Sequence, residues 1–199
     1  MIPGSNTESC SFFPLNTVLF PGSILPLQIF EQRYLDLVKS CMKNEHGFVV
    51  VLINNGKEVG DAPEIYRIGT YANIIDWESL DSGLLGITIQ GERRVQLHST
   101  TARDDGLLVG QIDELGDCDN NKLQLSYEQD DLIKTLQELS KHPFVAERYS
   151  DIDYSSASTV CNRLSELLPI PNMLKQELLE TLNVNHQIEK LQTILRELA

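Results

Sequence analysis

The spacing of apolar residues changes near residue 116, and this change constrains the fold more than any other feature of the sequence. Before it, short apolar runs alternate with Gly and Pro turn signals, which is typical of strands. From about residue 123 onward, apolar residues recur every three or four positions, which is typical of amphipathic helices. This order predicts an α+β fold, with a flexible tail at 1–10, a β-barrel at 11–116 and a helical subdomain at 117–199.

Prolines limit where the first apolar runs can lie in a sheet. Pro14, Pro21 and Pro26 have no N–H to donate to a neighbouring strand, so we expect their segments at sheet edges or bends. Residues 48–53 are apolar at every position, which predicts a strand buried on both faces. The other predicted strands cover residues 11–14, 24–29, 65–75 and 107–115, the last entered from a turn at 104–106.

Glycines and polar clusters predict the turns of the first half. Gly69 is a predicted bend or bulge in the strand at 65–75, and Trp77 is predicted to lie in a loop at 76–83. The clearest predicted hairpin turns at Gly91 and Glu92. Its apolar residues alternate with polar ones on both sides of that turn: Ile87, Ile89, Val95 and Leu97.

One helix is predicted within the first half, over about residues 31–43, and Gly47 is expected just past its end. Its apolar face comprises Phe30, Tyr34, Leu37, Val38 and Cys41. Four more helical stripes follow in the second half, and Pro143 and Pro169 are predicted to end the first two, whereas Pro171 begins the third. These stripes lie within residues 132–139, 160–168, 174–182 and 184–198.

The composition argues against several classes of partner. The net charge of −13 disfavours binding to nucleic acid or to an anionic membrane surface, and the acids are densest at 104–131. The four cysteines have no C-x-x-C spacing and are interpreted as reduced thiols. The N-terminus shows no signal-peptide pattern and no apolar run reaches a membrane-spanning length, so the cytoplasm is expected.

No catalytic, cofactor or metal motif is apparent in the sequence. There is no phosphate-binding loop, no G-x-G-x-x-G after a strand and no nucleophile elbow. His46, His98, His142 and His186 lack Cys or His partners at ligand spacing. The sequence therefore predicts a protein that is not an enzyme and needs no cofactor or metal.

Three groups of residues allow more than one interpretation. Arg93 and Arg94 form either an anion-binding patch or, as we favour, ordinary charge alternation with an arginine paired to an acid. Glu31 and Arg33 either hold the proline-rich segment in place, which we favour, or line a polar pocket, and Arg33 is expected to reach a carboxylate or loop carbonyls. The candidate polypeptide-contact patch is the third group, and in it Trp77 is either exposed or part of the core. That patch comprises Trp77, Leu80, Leu84 and Leu85.

Several segments together resemble the N-terminal domain of Lon proteases, and most closely bacterial proteins made of that domain alone. They are FPLNTVLFPG at 13–22, LPLQIFEQRY at 25–34, Gly69-Thr70, Asp76-Trp77, GLLGITIQGERR at 83–94 and, more weakly, the segment that begins at Leu164. The resemblance extends over about residues 11–198. It implies that the matched motif residues determine the fold: Pro14, Pro21, Pro26, Phe30, Glu31, Arg33 and Tyr34.

The resemblance also implies a fold and a function. The barrel would be PUA-like and followed by a helical bundle, and the domain would bind unfolded or target polypeptides, as an adaptor, at the Trp77 patch or a barrel–bundle groove. The chain stops at Ala199 and has neither the ATPase nor the Ser-Lys protease module of full-length Lon, which again predicts no catalysis. The alternative function is a PUA-like module that binds RNA or a small ligand, and a homo-oligomer is left open.

Overall fold

The computed structural model describes residues 7–60, 62–116, 130–149 and 151–198. Cys118, residues 117–129 of the predicted acidic segment and the start of the predicted helical pattern at 123 lie outside these residues. The chain divides into two compact units, Met1–Leu115 and Gly116–Ala199. We call them the barrel unit and the helical unit.

The barrel unit contains eight strands and one long helix within its described residues. The strands are β1 (Glu8–Leu15), β2 (Ile24–Ile29), β3 (Phe48–Asn55), β4 (Glu64–Ile65), β5 (Ile68–Ser79), β6 (Leu85–Leu97), β7 (Thr101–Ala102) and β8 (Leu108–Glu114), and helix α1 (Gln32–Asn44) lies between β2 and β3. Because Glu8, Ser9 and Cys10 belong to β1, the tail predicted over residues 1–10 is wrong for these three.

Five of the strands close into a ring, which confirms the predicted barrel. β1 pairs with β3 in parallel and with β8 antiparallel, and β5 pairs antiparallel with both β3 and β6. The end of β6 then pairs with β8 and closes the ring. All five strands contribute to one buried cluster, which fills the interior: Cys10, Phe12, Val49, Val51, Tyr71, Val95, Leu97, Leu108 and Ile112.

A second buried cluster joins the outer face of the sheet to α1. Phe48 and Val50 of β3 belong to it, whereas Val49 and Val51 belong to the interior cluster. β3 is therefore buried on both faces, as its unbroken apolar run predicted. Helix α1 contributes its own apolar side chains to the second cluster: Tyr34, Leu37, Val38 and Cys41. Phe30 precedes the helix and is 57% exposed, so the prediction that it starts this helical face is wrong.

The prediction that proline excludes the first apolar run from the middle of the sheet is also wrong. β1 holds Pro14 and lies between β3 and β8. Its pairing with β8 ends at Phe12, so at Pro14 the strand has β3 alone as a paired neighbour. A missing N–H is tolerated there because one side of the strand has no ladder to break. Pro26, in contrast, lies in β2, which is an edge strand as predicted.

The turns of the barrel unit differ most from the predictions. Residues 85–97 form one continuous strand, so Gly91 and Glu92 are not a hairpin turn. Tyr71 pairs with Arg93 and Ala72 with Gly91, which leaves Glu92 as the extra residue of a bulge. The true hairpin joins β5 to β6 at residues 80–84, where Gly83 has a φ of +78°. Trp77 therefore lies in β5 and not in a loop.

Close backbone approaches explain two of the glycines. A Cβ on Gly91 would lie 2.4 Å from the carbonyl oxygen of Phe20, because the turn at Pro21 and Gly22 is held against β6. Gly22 N–H donates to the Gly91 carbonyl over 2.8 Å. Gly69 is a close approach too and not the predicted bulge, since its Cβ would meet the Val50 carbonyl oxygen at 2.5 Å. Helix α1 ends at Asn44, Glu45 follows it with a left-handed φ of +55°, and Gly47 lies just beyond this end, as expected.

The helical unit contains five helices within its described residues. They are α2 (Asp130–Ser140), α3 (Pro143–Arg148), α4 (Ala157–Leu167), α5 (Asn172–Glu180) and α6 (Val184–Leu198). Helix α4 packs against α2, α5 and α6, and its residues Val160, Cys161 and Leu164 are fully buried. The predicted stripes are confirmed with three exceptions. Pro143 begins a short helix that the sequence did not predict. Leu182 lies beyond α5 and is 40% exposed, and Leu198, at the end of the last stripe, is 50% exposed.

Candidate functional site

An apolar face lies where β2, the first half of β6 and the end of β5 extend beyond the closed ring. Directly opposed residues share one side of a sheet, as do alternate residues of one strand. The registers set three rows across the strands: Leu25, Ile89 and Ile74; Leu27, Ile87 and Trp77; Ile29, Leu85 and Ser79. We define the apolar face as the eight apolar residues of these rows.

Burial is graded across the apolar face. Ile29, Ile87 and Ile89 are at most 2% exposed and share a cluster with residues of α1, so this part is covered. The residues around them are half-buried: Leu25, Leu27, Ile74 and Leu85. Trp77 is 59% exposed. Of the two sequence interpretations of Trp77, the exposed one is therefore correct.

A bulge in β5 brings Trp77 to this face. Ile74 pairs with Ile89 and Asp76 pairs with Thr88, so Ile75 is the extra residue. Trp77 is three positions after Ile74, an odd spacing that would place the two side chains on opposite faces of a regular strand. The extra residue restores them to one face and leaves Ile75 itself 49% exposed. Bulges are common where a strand must redirect a side chain.

The structure brings together only part of the patch predicted from sequence. Leu85 shares the apolar face with Trp77. Leu80 packs on the opposite side, because its side chain lies 3.2 Å from the position where Gly86 would carry a Cβ, and Gly86 alternates with Leu85. Leu84 lies in the turn and is half-buried. Sequence reasoning missed the contribution of β2, although the alternation of Leu25, Leu27 and Ile29 was a usable signal.

The charges that accompany the apolar face are acidic. Residues 68–92 hold Asp76, Glu78, Asp81 and Glu92 and have no Lys or Arg, and β2 holds no charged residue. One carboxylate oxygen of Asp76 accepts a hydrogen bond from the Trp77 N–H over 2.8 Å. Asp76 and Glu78 pair with Thr88 and Gly86, which alternate with residues of the apolar face, so these two carboxylates belong to the opposite side of the sheet. None of the eight residues of the apolar face is charged, and the face offers no phosphate-binding group of its own.

Arg33 adopts the contacts expected from the sequence. It is 6% exposed, its Nη2 lies 2.8 Å from a carboxylate oxygen of Glu31, and its Nη1 donates to the Gly106 carbonyl over 3.0 Å. It also lines two cavities of about 540 and 460 Å³ in the barrel unit. The two interpretations of this residue, a structural pin and a pocket residue, are therefore compatible.

The larger cavity contains titratable groups, among them a buried thiol that is not activated as a nucleophile. Burial raises the pKa of the Cys10 thiol to about 12, so this thiol stays protonated at neutral pH. A hydrogen bond from Gln32 lowers the pKa of Asp36, which favours its ionised form. The same cavity holds Arg33 and Arg103, and the latter is paired with Asp105 at 3.2 Å. These groups give the cavity mixed charge.

The contacts of Arg93 and Arg94 agree with the favoured interpretation, in which charges alternate along the strand and an arginine is paired with acidic residues. Arg93 lies 3.1 Å from Glu8, 3.3 Å from Glu92 and 3.6 Å from Glu114, and its guanidinium stacks 4.0 Å from the Tyr71 ring centroid. Arg94 is only 3% exposed. This pair thus offers no accessible basic patch for RNA.

Two features are absent from the described residues. Among them, no group of three or more His, Cys, Asp or Glu side chains could hold a metal ion. None of the described helices combines the length and apolar character needed to cross a membrane.

Comparison with known proteins gives one family. The model of the substrate-binding domain of ATP-dependent protease La (LON) matches residues 9–197. Among curated relatives, Lon protease 1 of Syntrophobacter fumaroxidans is 25% identical over 197 residues, which cover 94% of this chain and 24% of the relative. Lon protease of Rhizobium meliloti is 28% identical over 92% of this chain and 24% of its own length. The chain thus spans about a quarter of these relatives.

Solved structures agree with the family match. The crystal structure of a Lon N-terminal domain protein from Xanthomonas campestris has a TM-score of 0.74 and 29% identity, and covers 94% of this chain and 98% of that one. The N-terminal domain of Mycobacterium avium complex Lon protease has a TM-score of 0.60 at 15% identity over 92% and 96% of the two chains, which supports the fold alone.

Proposed function

The chain belongs to the family of ATP-dependent protease La (LON) substrate-binding domains, and on that premise we propose that it binds unfolded polypeptide segments through the apolar face. The observation that carries the proposal is Trp77, which is 59% exposed at the open end of a face whose other residues are apolar. A large exposed aromatic beside apolar neighbours is a common feature of protein-binding surfaces.

The family premise supports a polypeptide as the occupant. The matching family is described by substrate binding, and its curated relatives are proteases whose substrates are proteins. An unfolded polypeptide exposes apolar side chains that a folded one buries, and these side chains would be the groups that the apolar face selects. In this proposal the domain acts without a cofactor or metal, as a binding module or adaptor in the cytoplasm.

We propose contact through side chains and not through addition of a strand to the sheet. β2 is an edge strand, paired with β6 alone, and edges can recruit extended peptides. Pro26 lies in the middle of β2 and is exposed. Because proline has no N–H, a row of donors along this edge is interrupted, which disfavours backbone pairing. Side-chain contacts on the face of the sheet need no backbone N–H donors, so Pro26 does not hinder them.

The test uses the intact protein and a permanently unfolded probe in the absence of ATP. Fluorescently labelled α-lactalbumin that is reduced and alkylated would be titrated by anisotropy, with native α-lactalbumin as the folded control. This probe is acidic, so simple attraction to a chain of net charge −13 cannot produce the signal. We expect binding of the unfolded probe alone, weakened about tenfold or more in Trp77→Ala.

Phe144→Ala is the matched control, because Phe144 is 56% exposed but lies in the helical unit. It should leave binding unchanged. Trp77 is the only tryptophan, so its emission should shift to shorter wavelength and lose access to acrylamide when the probe binds. Equal binding by wild type and Trp77→Ala, or indole fluorescence that acrylamide cannot reach in the free protein, would contradict the proposal.

A further inference from the structure

The helical unit has a groove of its own, between α5 and α6, with a volume of about 350 Å³. Its floor is apolar: Leu178 is 1% exposed, and Leu174 and Ile194 are half-buried. Its remaining lining residues are exposed and polar, and they form the rim: Glu177, Glu189, Lys190, Thr193 and Glu197. This groove is distinct from the apolar face, which belongs to the barrel unit.

The groove follows the helix axes. Leu174 and Leu178 are one turn apart on α5, and the rim residues Glu189, Thr193 and Glu197 repeat every four residues along α6. Residues at this spacing lie above one another on a helix face. At 1.5 Å of rise per residue, the α6 rim is about 12 Å long, which matches about two turns of a docked helix.

The rim has unbalanced charge. Within the described residues, the carboxylates of Glu177, Glu189 and Glu197 form no ion pair or side-chain hydrogen bond. The single base, Lys190, donates from Nζ to Thr181 Oγ1 over 3.1 Å, beyond the end of α5. Three carboxylates around an apolar floor thus face solvent, and an occupant of positive charge would be favoured.

We propose that this groove binds a basic amphipathic helix of a partner protein. Two or three apolar side chains at helical spacing would pack over Leu174, Leu178 and Ile194, and Lys or Arg residues beside them would pair with the rim glutamates. The net charge of −13 disfavours a second copy of this chain as the occupant. The proposal concerns a second site and does not depend on the apolar face.

The experiment measures anisotropy of a labelled 14-residue peptide that carries Leu on one helical face and Lys on the other, titrated with the intact protein at 0.15 M salt. A scrambled peptide of the same composition is the first control, since it keeps the charge and loses the amphipathic face. Binding of the amphipathic peptide should be at least about tenfold tighter than that of the scrambled one. Ile194→Asp should weaken binding by about tenfold or more.

A second variant tests the charge without altering the floor. Glu189→Gln/Glu197→Gln should weaken binding about fivefold, as expected for two solvent-exposed charge pairs. The matched control is Glu64→Gln/Glu147→Gln, which removes the same charge from two exposed glutamates outside the groove. That control and Trp77→Ala should leave the affinity unchanged.

Four outcomes would overturn the proposal. They are equal binding of the scrambled peptide, equal weakening by the two glutamate pairs, loss of binding in Trp77→Ala alone, and no binding at all. Circular dichroism of Ile194→Asp shows whether its helices persist. If they do not, the variant Glu189→Gln/Glu197→Gln still tests the groove, because it changes exposed residues only. Failure here leaves the unfolded-protein assay unaffected, because that assay reads a different face.

Discussion

The guanidinium of Arg33 donates a hydrogen bond over 3.0 Å to the carbonyl oxygen of Gly106, 73 residues further along the chain. The same side chain meets Glu31 at 2.8 Å and lies 4.8 Å from the ring centroid of Tyr34. These contacts join the start of α1 to the turn that enters β8. Arg33 thus connects two regions of the barrel unit that the sequence shows as separate.

Replacement of Arg33 should destabilise the protein. Arg33→Ala leaves the half-buried Glu31 carboxylate and the Gly106 carbonyl without their partner, and we expect a loss of roughly 3 kcal/mol in the free energy of unfolding, measured by urea titration. The control is Arg103→Ala, since Arg103 is 57% exposed and its pair with Asp105 should contribute under about 1 kcal/mol. If both substitutions lowered the free energy of unfolding equally, the buried contacts of Arg33 would contribute no more to stability than an exposed ion pair.

A methyl group at Gly91 should disturb the sheet. Its Cβ would lie 2.4 Å from the Phe20 carbonyl oxygen, so Gly91→Ala must push the Pro21–Gly22 turn away from β6 and strain its hydrogen bonds. We expect a loss of about 2–3 kcal/mol in the free energy of unfolding. Gly116→Ala is the control, because among the described residues no atom outside its chain neighbours lies within 4 Å of its Cβ position. The close approach would be contradicted if Gly91→Ala left the free energy of unfolding unchanged, whether or not Gly116→Ala lowered it.

The spacing of apolar residues correctly predicted those strands and helices whose buried side can be read from their own sequence. The unbroken apolar run of β3 indicated burial on both faces, and the three- and four-residue steps of Val160, Cys161 and Leu164 indicated the buried side of α4. Such periodicity reflects the geometry of a single element. It is therefore readable before any partner of that element is known.

Features that depend on distant segments were not readable in this way. Gly91 resembled a turn residue, yet its glycine is required by the Phe20 carbonyl, which approaches from elsewhere in the chain. For Trp77 the sequence left both exposure and burial open. The face on which it lies follows from the bulge at Ile75, and its neighbour Leu27 comes from another strand. The grouping of these residues into one candidate site thus depends on strand registers that no local pattern specifies.

Pro26 should protect the open edge of β2. Pro26→Thr restores an N–H in the middle of an exposed edge strand, and exposed edges promote association between sheets. We expect more self-association at high protein concentration, measured by light scattering and size-exclusion chromatography. Pro63→Thr is the control, because Pro63 lies outside the strands. If both variants behave as wild type, the edge is protected by other means.

The buried thiols should give the protein a defined alkaline pH dependence. Burial raises the pKa of Cys10 from 9.0 to about 12 and that of Cys41 to about 11. Above pH 9 the unfolded chain loses protons that the folded chain keeps, so the free energy of unfolding should fall as the pH rises from 9 towards 12 and should not depend on these groups below pH 9. Urea titrations at pH 8, 9.5 and 10.5 measure this slope, and Cys10→Ala should reduce it.

In a Cys118→Ser background, iodoacetamide should label Cys10 and Cys41 far more slowly in the folded protein than in urea. Equal labelling rates would contradict the burial of both thiols.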